Sequence, residues 1–222
     1  MTRVKICGIT TVEDALAACK AGAHAIGFVF AESPRQITRD AAAEIIRELP
    51  PFVTTVGVFV DETIDNVRET VRYCGLGLAQ LHGHEDARYY EALGLPFIKA
   101  FSLQSEADLR IIEIVPCKDF LVDSHAIGGA GGTGRACDWT LAARVSRLGR
   151  MVLAGGLTPE NVRTALERVH PYGVDVSSGV ELSPGKKDIS KIQQFINEVQ
   201  TWDFQTNGVI SAGTAADSFP RR

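Results

Sequence analysis

Chemistry in this chain can start at Val4-Lys5-Ile6-Cys7-Gly8. In an extended strand residues 5 and 7 share a face, so Cys7 stands at the rim one layer above Lys5. A thiol beside a lysine ammonium has a lowered pKa and suits a general base or a nucleophile. The plainer reading is a small core residue. A second apolar run, Phe120-Leu121-Val122, ends on Asp123 and Ser124. An acid there is costly to bury unless it has a partner or a task, and a helix cap or a salt bridge is the alternative. Together Cys7 and Asp123 offer one base and one acid from separate strands.

Other residues suit an anion. Gly155-Gly156 follows one apolar run and Ser177-Ser178-Gly179 follows the next. Glycine lets the backbone approach a ligand closely, and successive N–H groups make an anion-binding nest. Ordinary tight turns are the competing reading. Arg35, in Ser33-Pro34-Arg35, is placed either to clamp a carboxylate in a bidentate fork or to stand in solvent. His82 and His84 lie two residues apart, but no third plausible ligand accompanies them, so no metal is expected. Lys99 and Asp175 are placed to line an interior and pair there. Residues 129–134 satisfy G-x-G-x-x-G. The match lies several residues past its strand and lacks the acid that dinucleotide binding requires, so a mobile active-site loop fits better.

These groups need a scaffold that gathers strand ends. Short β-rich runs begin near Val4, Ala25, Thr54, Gly77, Phe97, Phe120, Met151 and Gly173. Amphipathic segments of helical period alternate with them, at about Val12–Ala21, Arg39–Leu49, Ile64–Cys74, Asp86–Leu93, Ser105–Val115, Thr140–Leu148, Pro159–Val169 and Ile189–Val199. Thr10 or Thr11 ahead of Glu13-Asp14 marks a helix start. Thr158-Pro159-Glu160 reads as an N-cap, an N1 proline and a first-turn acid. Eight such pairs predict an α/β fold, a single (β/α)8 TIM barrel with a parallel eight-stranded core over residues 1–202. An open doubly wound sheet is the runner-up. From Asp203 the pattern fades, and 203–222 reads as a poorly ordered tail. A barrel of this kind places catalysis at the C-terminal strand ends and often holds phosphate after strands 7 and 8.

Composition excludes several classes. Of 222 residues, 45% are hydrophobic, enough for a core that needs no disulfide or metal. The net charge of −4 leaves no basic footprint, so nucleic acid is not an expected partner. Five widely spaced cysteines, an odd number with no C-x-x-C pair, argue against a disulfide framework and a zinc knuckle. No stretch is apolar enough for a membrane span, and no signal peptide is visible at the N-terminus. The expectation is a cytoplasmic protein with a small phosphorylated ligand and no membrane partner; oligomeric state is not legible.

The motifs, taken together, resemble the phosphoribosylanthranilate isomerase family of tryptophan biosynthesis. They are VKICGIT at 4–10, GFVF with SPRQI at 27–37, VGVFV at 56–60, QLHG at 80–83, the VDS strand end with GGTG at 131–134, GGLTPENV at 155–162, and DVSSGVE with PGKKD at 175–188. The resemblance runs from Val4 to about Val199. It implies a (β/α)8 barrel without metal or organic cofactor. It also implies an Amadori rearrangement of N-(5′-phosphoribosyl)anthranilate to 1-(2-carboxyphenylamino)-1-deoxyribulose 5-phosphate. By resemblance Asp123 is the general acid, Cys7 the general base, and Arg35 the arginine that meets the anthranilate carboxylate. Lys5, His82 and Asp175 join the substrate site, while Gly155, Gly156, Ser177, Ser178 and Gly179 form the phosphate grip. Two other readings of the same residues are a Schiff-base lyase using Lys5 or Lys99, and a non-catalytic phosphosugar-binding barrel.

Overall fold

The computed structural model describes residues 1–114, 118–123 and 139–213. The Gly-rich segment at 129–134, Ser124, Cys117 and Cys137 lie outside them. Eight strands form one closed parallel barrel in chain order: β1 (Arg3–Ile6), β2 (Ala25–Val29), β3 (Thr54–Phe59), β4 (Leu78–Leu81), β5 (Phe97–Ser102), β6 (Asp119–Asp123), β7 (Arg150–Ala154) and β8 (Gly173–Val176). The helices are α1 (Val12–Ala21), α2 (Arg39–Glu48), α3 (Ile64–Cys74), α4 (Ala87–Leu93), α5 (Glu106–Ile114), α6 (Trp139–Val145), α7 (Val162–Val169) and α8 (Ile189–Gly213). A short antiparallel hairpin, β9 (Glu181–Ser183) and β10 (Lys186–Lys187), follows β8.

The strands are short because each spans only the barrel wall, and apolar because both faces are covered. The barrel interior holds a small cluster of Ile98, Ala100, Leu121 and Ala154. The larger core lies between strands and helices, with Phe28, Phe120 and Phe195 fully buried. Burying each such ring stabilises the fold by roughly 1.5–3 kcal/mol. Threonine side chains cap the helices that lead away from the rim. Thr11 accepts from the Asp14 amide, Thr38 from Ala41 and Thr63 from Asn66, satisfying donors that a helix start leaves unpaired.

Several helix ends differ from expectation, two of them with a visible cause. Helix α7 begins at Val162 rather than Pro159. The Asn161 side chain is the reason: its Nδ2 donates to the Gly156 carbonyl and its Oδ1 accepts from the Thr158 amide, so 158–161 closes a turn on the glycine loop. At the other end, α8 runs through residue 203, where a tail was expected to start, and on to Gly213. Its face of Ile192, Phe195, Ile196 and Val199 is buried. Asp203 continues that face, buried and accepting from the Thr2 amide at 2.6 Å and the Thr2 hydroxyl at 2.9 Å. The acid that reads as the start of a poorly ordered tail is a buried anchor for the N-terminal strand.

Candidate active site

A cavity of about 310 Å³ opens at the C-terminal ends of the strands. Cys7, Arg35, His82, Asp123, Gly155, Gly156, Asp175, Ser177 and Ser178 all line it. Residues from β1, β2, β4, β6, β7 and β8, or the loops after them, therefore meet in one place, as a parallel barrel requires. A larger cavity of about 580 Å³ lies at the opposite end, among strand starts such as Arg3, Thr54 and Asp119. Its Asp119 and Arg150 are bonded to each other, Lys5 borders it from below, and Cys7, Arg35, His82 and Asp123 do not line it. The chemistry belongs to the smaller cavity.

Cys7 follows β1 directly and is held at the rim by its amide, which donates to the Val176 carbonyl at 2.9 Å. Gly8 turns the chain away at φ +73°, and a Cβ there would sit 2.6 Å from Arg35 Cδ and 3.0 Å from Ser177 Oγ. Gly27 on β2 leaves room beneath: a Cβ would lie 2.8 Å from Cys7 Sγ. The sulfur thus faces the barrel interior, as the alternation of the strand predicts.

Lys5 lies one layer below, buried, with Nζ 3.0 Å from both Gln80 Oε1 and Asp175 Oδ2. Burial alone would lower its pKa, but Asp175 and Cys7 outweigh that and hold it above the ordinary value. The expected lowering of the Cys7 thiol by Lys5 is not the net result. Burial pushes the thiol up, and the pull of Lys5 only partly offsets it. A shift of a thiol follows the larger of desolvation and nearby charge, and here Asp175 also opposes the Lys5 field. His82 is held below the usual imidazole value, chiefly by burial, against a smaller opposing pull from Asp123. It is a neutral imidazole at pH 7.

Lys99 does not pair with Asp175. Ile98 and Ala100 are the interior residues of β5, so the alternation turns Lys99 outward. It is buried under the β4–α4 loop, 2.8 Å from Glu85 Oε2. His84 points away from His82 and pairs with Asp61 at the surface. Among the described residues no cluster of three His, Cys, Asp or Glu side chains could hold a metal ion.

Around the proposed phosphate grip, Gly155 and Gly156 are both left-handed, at φ +91° and +62°, a backbone that side chains adopt only at a cost. Gly179 does not line the cavity. A Cβ there would fall 1.9 Å from the Leu157 carbonyl oxygen, so the missing side chain lets the loops after β7 and β8 touch. Arg35 reaches the cavity already bound: Nε and Nη2 donate to Glu181 Oε1 and Oε2 at 2.7 and 2.6 Å.

Three residues at the site were not singled out from the sequence. Gln80 interrupts the apolar run of β4, a signal that was available. Glu181 stands between Val180 and Leu182, where an isolated acid marks a partnered site. Lys187, between Lys186 and Asp188, looks like any surface lysine, yet its side chain is wholly buried.

Comparison with known proteins points to one family. The family model described as N-(5′phosphoribosyl)anthranilate (PRA) isomerase matches residues 4–198. An N-(5′-phosphoribosyl)anthranilate isomerase of Geobacter sp. (strain M21) is 51% identical over 201 residues, covering 90% of this chain and 98% of the relative. That of Pelobacter propionicus is 49% identical over 197 residues, 88% of this chain and 94% of the relative. The crystal structure of the Thermotoga maritima phosphoribosyl anthranilate isomerase superposes with a TM-score of 0.85 at 43% identity, covering 90% of this chain and all of that one. A phosphoribosyl anthranilate isomerase solved with reduced 1-(o-carboxyphenylamino)-1-deoxyribulose 5-phosphate superposes at 0.81 and 41% identity, with the same coverage. With a family model spanning nearly the whole barrel and relatives at half identity, this chain belongs to the N-(5′-phosphoribosyl)anthranilate isomerase family.

Proposed function

We propose that the chain isomerises N-(5′-phosphoribosyl)anthranilate to 1-(2-carboxyphenylamino)-1-deoxyribulose 5-phosphate, an aldose–ketose type step of tryptophan biosynthesis in the cytoplasm. The observation that carries the reading is that Cys7 and Asp123, from β1 and β6, line one cavity together with Arg35 and the loops after β7 and β8. Relatives sharing half the residues bear this activity's name.

In this reading Asp123, as the carboxylic acid, protonates the ribose ring oxygen. The ring opens, and the anilino nitrogen becomes a Schiff-base cation. That charge makes the C2′ proton acidic, and the Cys7 thiolate removes it. The resulting enolamine tautomerises to the ketone. Acid and base each supply typically 10²–10⁴-fold. The step needs a proton on Asp123 and an ionised Cys7, and the thiol's ordinary value disfavours the second at neutral pH. The loops bearing Gly155, Gly156, Ser177 and Ser178 take the 5′-phosphate, with Gly179 keeping them in contact. Arg35 takes the carboxylate, and His82 and Asp175 line the sugar's path.

The Schiff-base lyase reading loses support from the same geometry. Lys5 is held as an ammonium by Asp175, and Lys99 is ion-paired outside the cavity. An imine needs a neutral amine. The deciding experiment follows the fluorescence of the anthranilate adduct with purified protein. Loss of signal proportional to enzyme supports the isomerase; tight binding without turnover would favour a phosphosugar-binding barrel.

A further inference from the structure

The hairpin after β8 carries two charged side chains that the chemistry above does not use. Glu181 and Lys187 are register partners across β9 and β10. Lys187 Nζ lies 2.8 Å from Glu181 Oε1 and donates to the Ser177 carbonyl at 3.2 Å, with Ser177 Oγ at 3.5 Å. Both side chains are buried, at 0% and 4% exposure. The hairpin itself is anchored by the Lys187 amide, which donates to the buried Asp14 carboxylate at 3.0 Å. A continuous chain of contacts therefore runs Arg35–Glu181–Lys187–Ser177. It joins the residue read as the carboxylate grip to the loop read as the phosphate grip.

The way Glu181 binds Arg35 matters. A guanidinium has five N–H donors in a fixed plane. Glu181 occupies the side-on edge, through Nε and Nη2. The end-on edge remains, with one N–H from each terminal nitrogen, parallel and spaced for a second carboxylate. Unpaired, Arg35 would hold that edge only in some of its rotamers, and ligand binding would have to immobilise it. Glu181 alone would also repel an incoming anion. Lys187 cancels that charge, so the triad keeps one net positive charge beside the cavity.

We propose that Glu181 and Lys187 are positioning residues that hold Arg35 and Ser177 as one preassembled frame for a ligand with an anion at each end, the end-on edge of Arg35 being reserved for its carboxylate. This rests on the isomerase reading of the cavity. Burying the charges of Glu181 and Lys187 is costly unless they are paired; here they pair with each other and with the half-buried Arg35, and the return is a grip that needs no ordering when ligand arrives.

The test is steady-state kinetics on N-(5′-phosphoribosyl)anthranilate, joined to binding of two ligands. One is the reduced product, 1-(o-carboxyphenylamino)-1-deoxyribulose 5-phosphate with its C2′ carbonyl reduced to the alcohol; the other is the same compound without the carboxylate. Glu181→Gln raises KM about tenfold and changes kcat far less, the loss of one charge-assisted hydrogen bond. Glu181→Asp, too short to reach both nitrogens, shows the same KM rise. In an Arg35→Met background Glu181→Gln adds less than about twofold, because the two residues act as one unit. The carboxylate-free ligand binds wild type and Glu181→Gln alike. A fall in kcat without a KM change, effects that add to those of Arg35→Met, or equal losses for both ligands would overturn the proposal. Should Glu181→Gln not fold, Glu181→Asp carries the same comparison, and if neither folds Lys187→Met decides it through KM against kcat. Wild-type turnover is the control: its absence counts against the isomerase reading, while the two ligands still judge the frame.

Discussion

Lys5 and Asp175 face each other across the seam between β1 and β8, as register partners whose side chains close a 3.0 Å ion pair inside the barrel beneath Cys7. Burial is the main reason that a lysine so near the thiol does not activate it, and the pair adds to that effect. The lysine's positive charge is shared with an acid that acts on Cys7 with the opposite sign. The site therefore meets its ligand with the thiol protonated at neutral pH, and the thiolate is a minor form.

A pH titration of Cys7 reactivity checks this. Alkylation of the ligand-free protein, with Cys7→Ala as the blank, is expected to accelerate with pH and to reach half its limit above the ordinary thiol value. Burial sets that direction. Lys187→Met removes a cation that favours the thiolate while leaving Glu181 on Arg35, so it moves the midpoint further up. A wild-type midpoint below the ordinary thiol value would show that charge, not burial, governs the sulfur.

Gly27 tests how tightly the thiol is placed. An alanine methyl would meet Cys7 Sγ at 2.8 Å and Lys5 Cε at 3.0 Å. The two tightest neighbours are side chains and Cys7 Cα follows at 3.1 Å, so Gly27→Ala is expected to shift the end of β1 and to lower kcat by about 10–10² through displacement of the base. Unchanged kcat at unchanged KM would mean that the sulfur's position is not critical.

How far the sequence reaches depends on where a residue sits. Cys7, Asp123, Gly155 and Ser177 were legible because each closes or follows a strand, and a parallel barrel brings all such ends together. Lys99 was misplaced because Phe97-Ile98-Lys99-Ala100 is apolar on both faces, so alternation has no phase to read. Glu181 was missed because its partner Arg35 lies 146 positions away and is joined to it only in three dimensions. Helix α7 started late because Asn161 spends its side chain on the glycine loop, a contact that competes with capping. Asp203 reads as the start of a poorly ordered tail because its partner Thr2 lies 201 positions away and nothing nearby in the sequence marks the acid as buried.

That last residue yields a stability prediction. Asp203→Ala leaves the Thr2 amide and hydroxyl without their acceptor, and loss of such buried hydrogen bonds costs about 1–3 kcal/mol. The measurement is denaturant unfolding, where the midpoint drops while kcat is unchanged. Truncation after residue 202 is expected to destabilise at least as much. If both changes left the midpoint in place, α8 beyond Trp202 would be dispensable.

The central claim is that one thiol and one carboxyl, brought together from β1 and β6, do the proton transfers. The direct measurement is kcat for Cys7→Ala and for Asp123→Asn beside binding of the reduced product. The account predicts that each substitution lowers kcat by roughly 10²–10⁴ while the ligand binds nearly as well as to the wild type. Turnover close to wild type in either variant would contradict it.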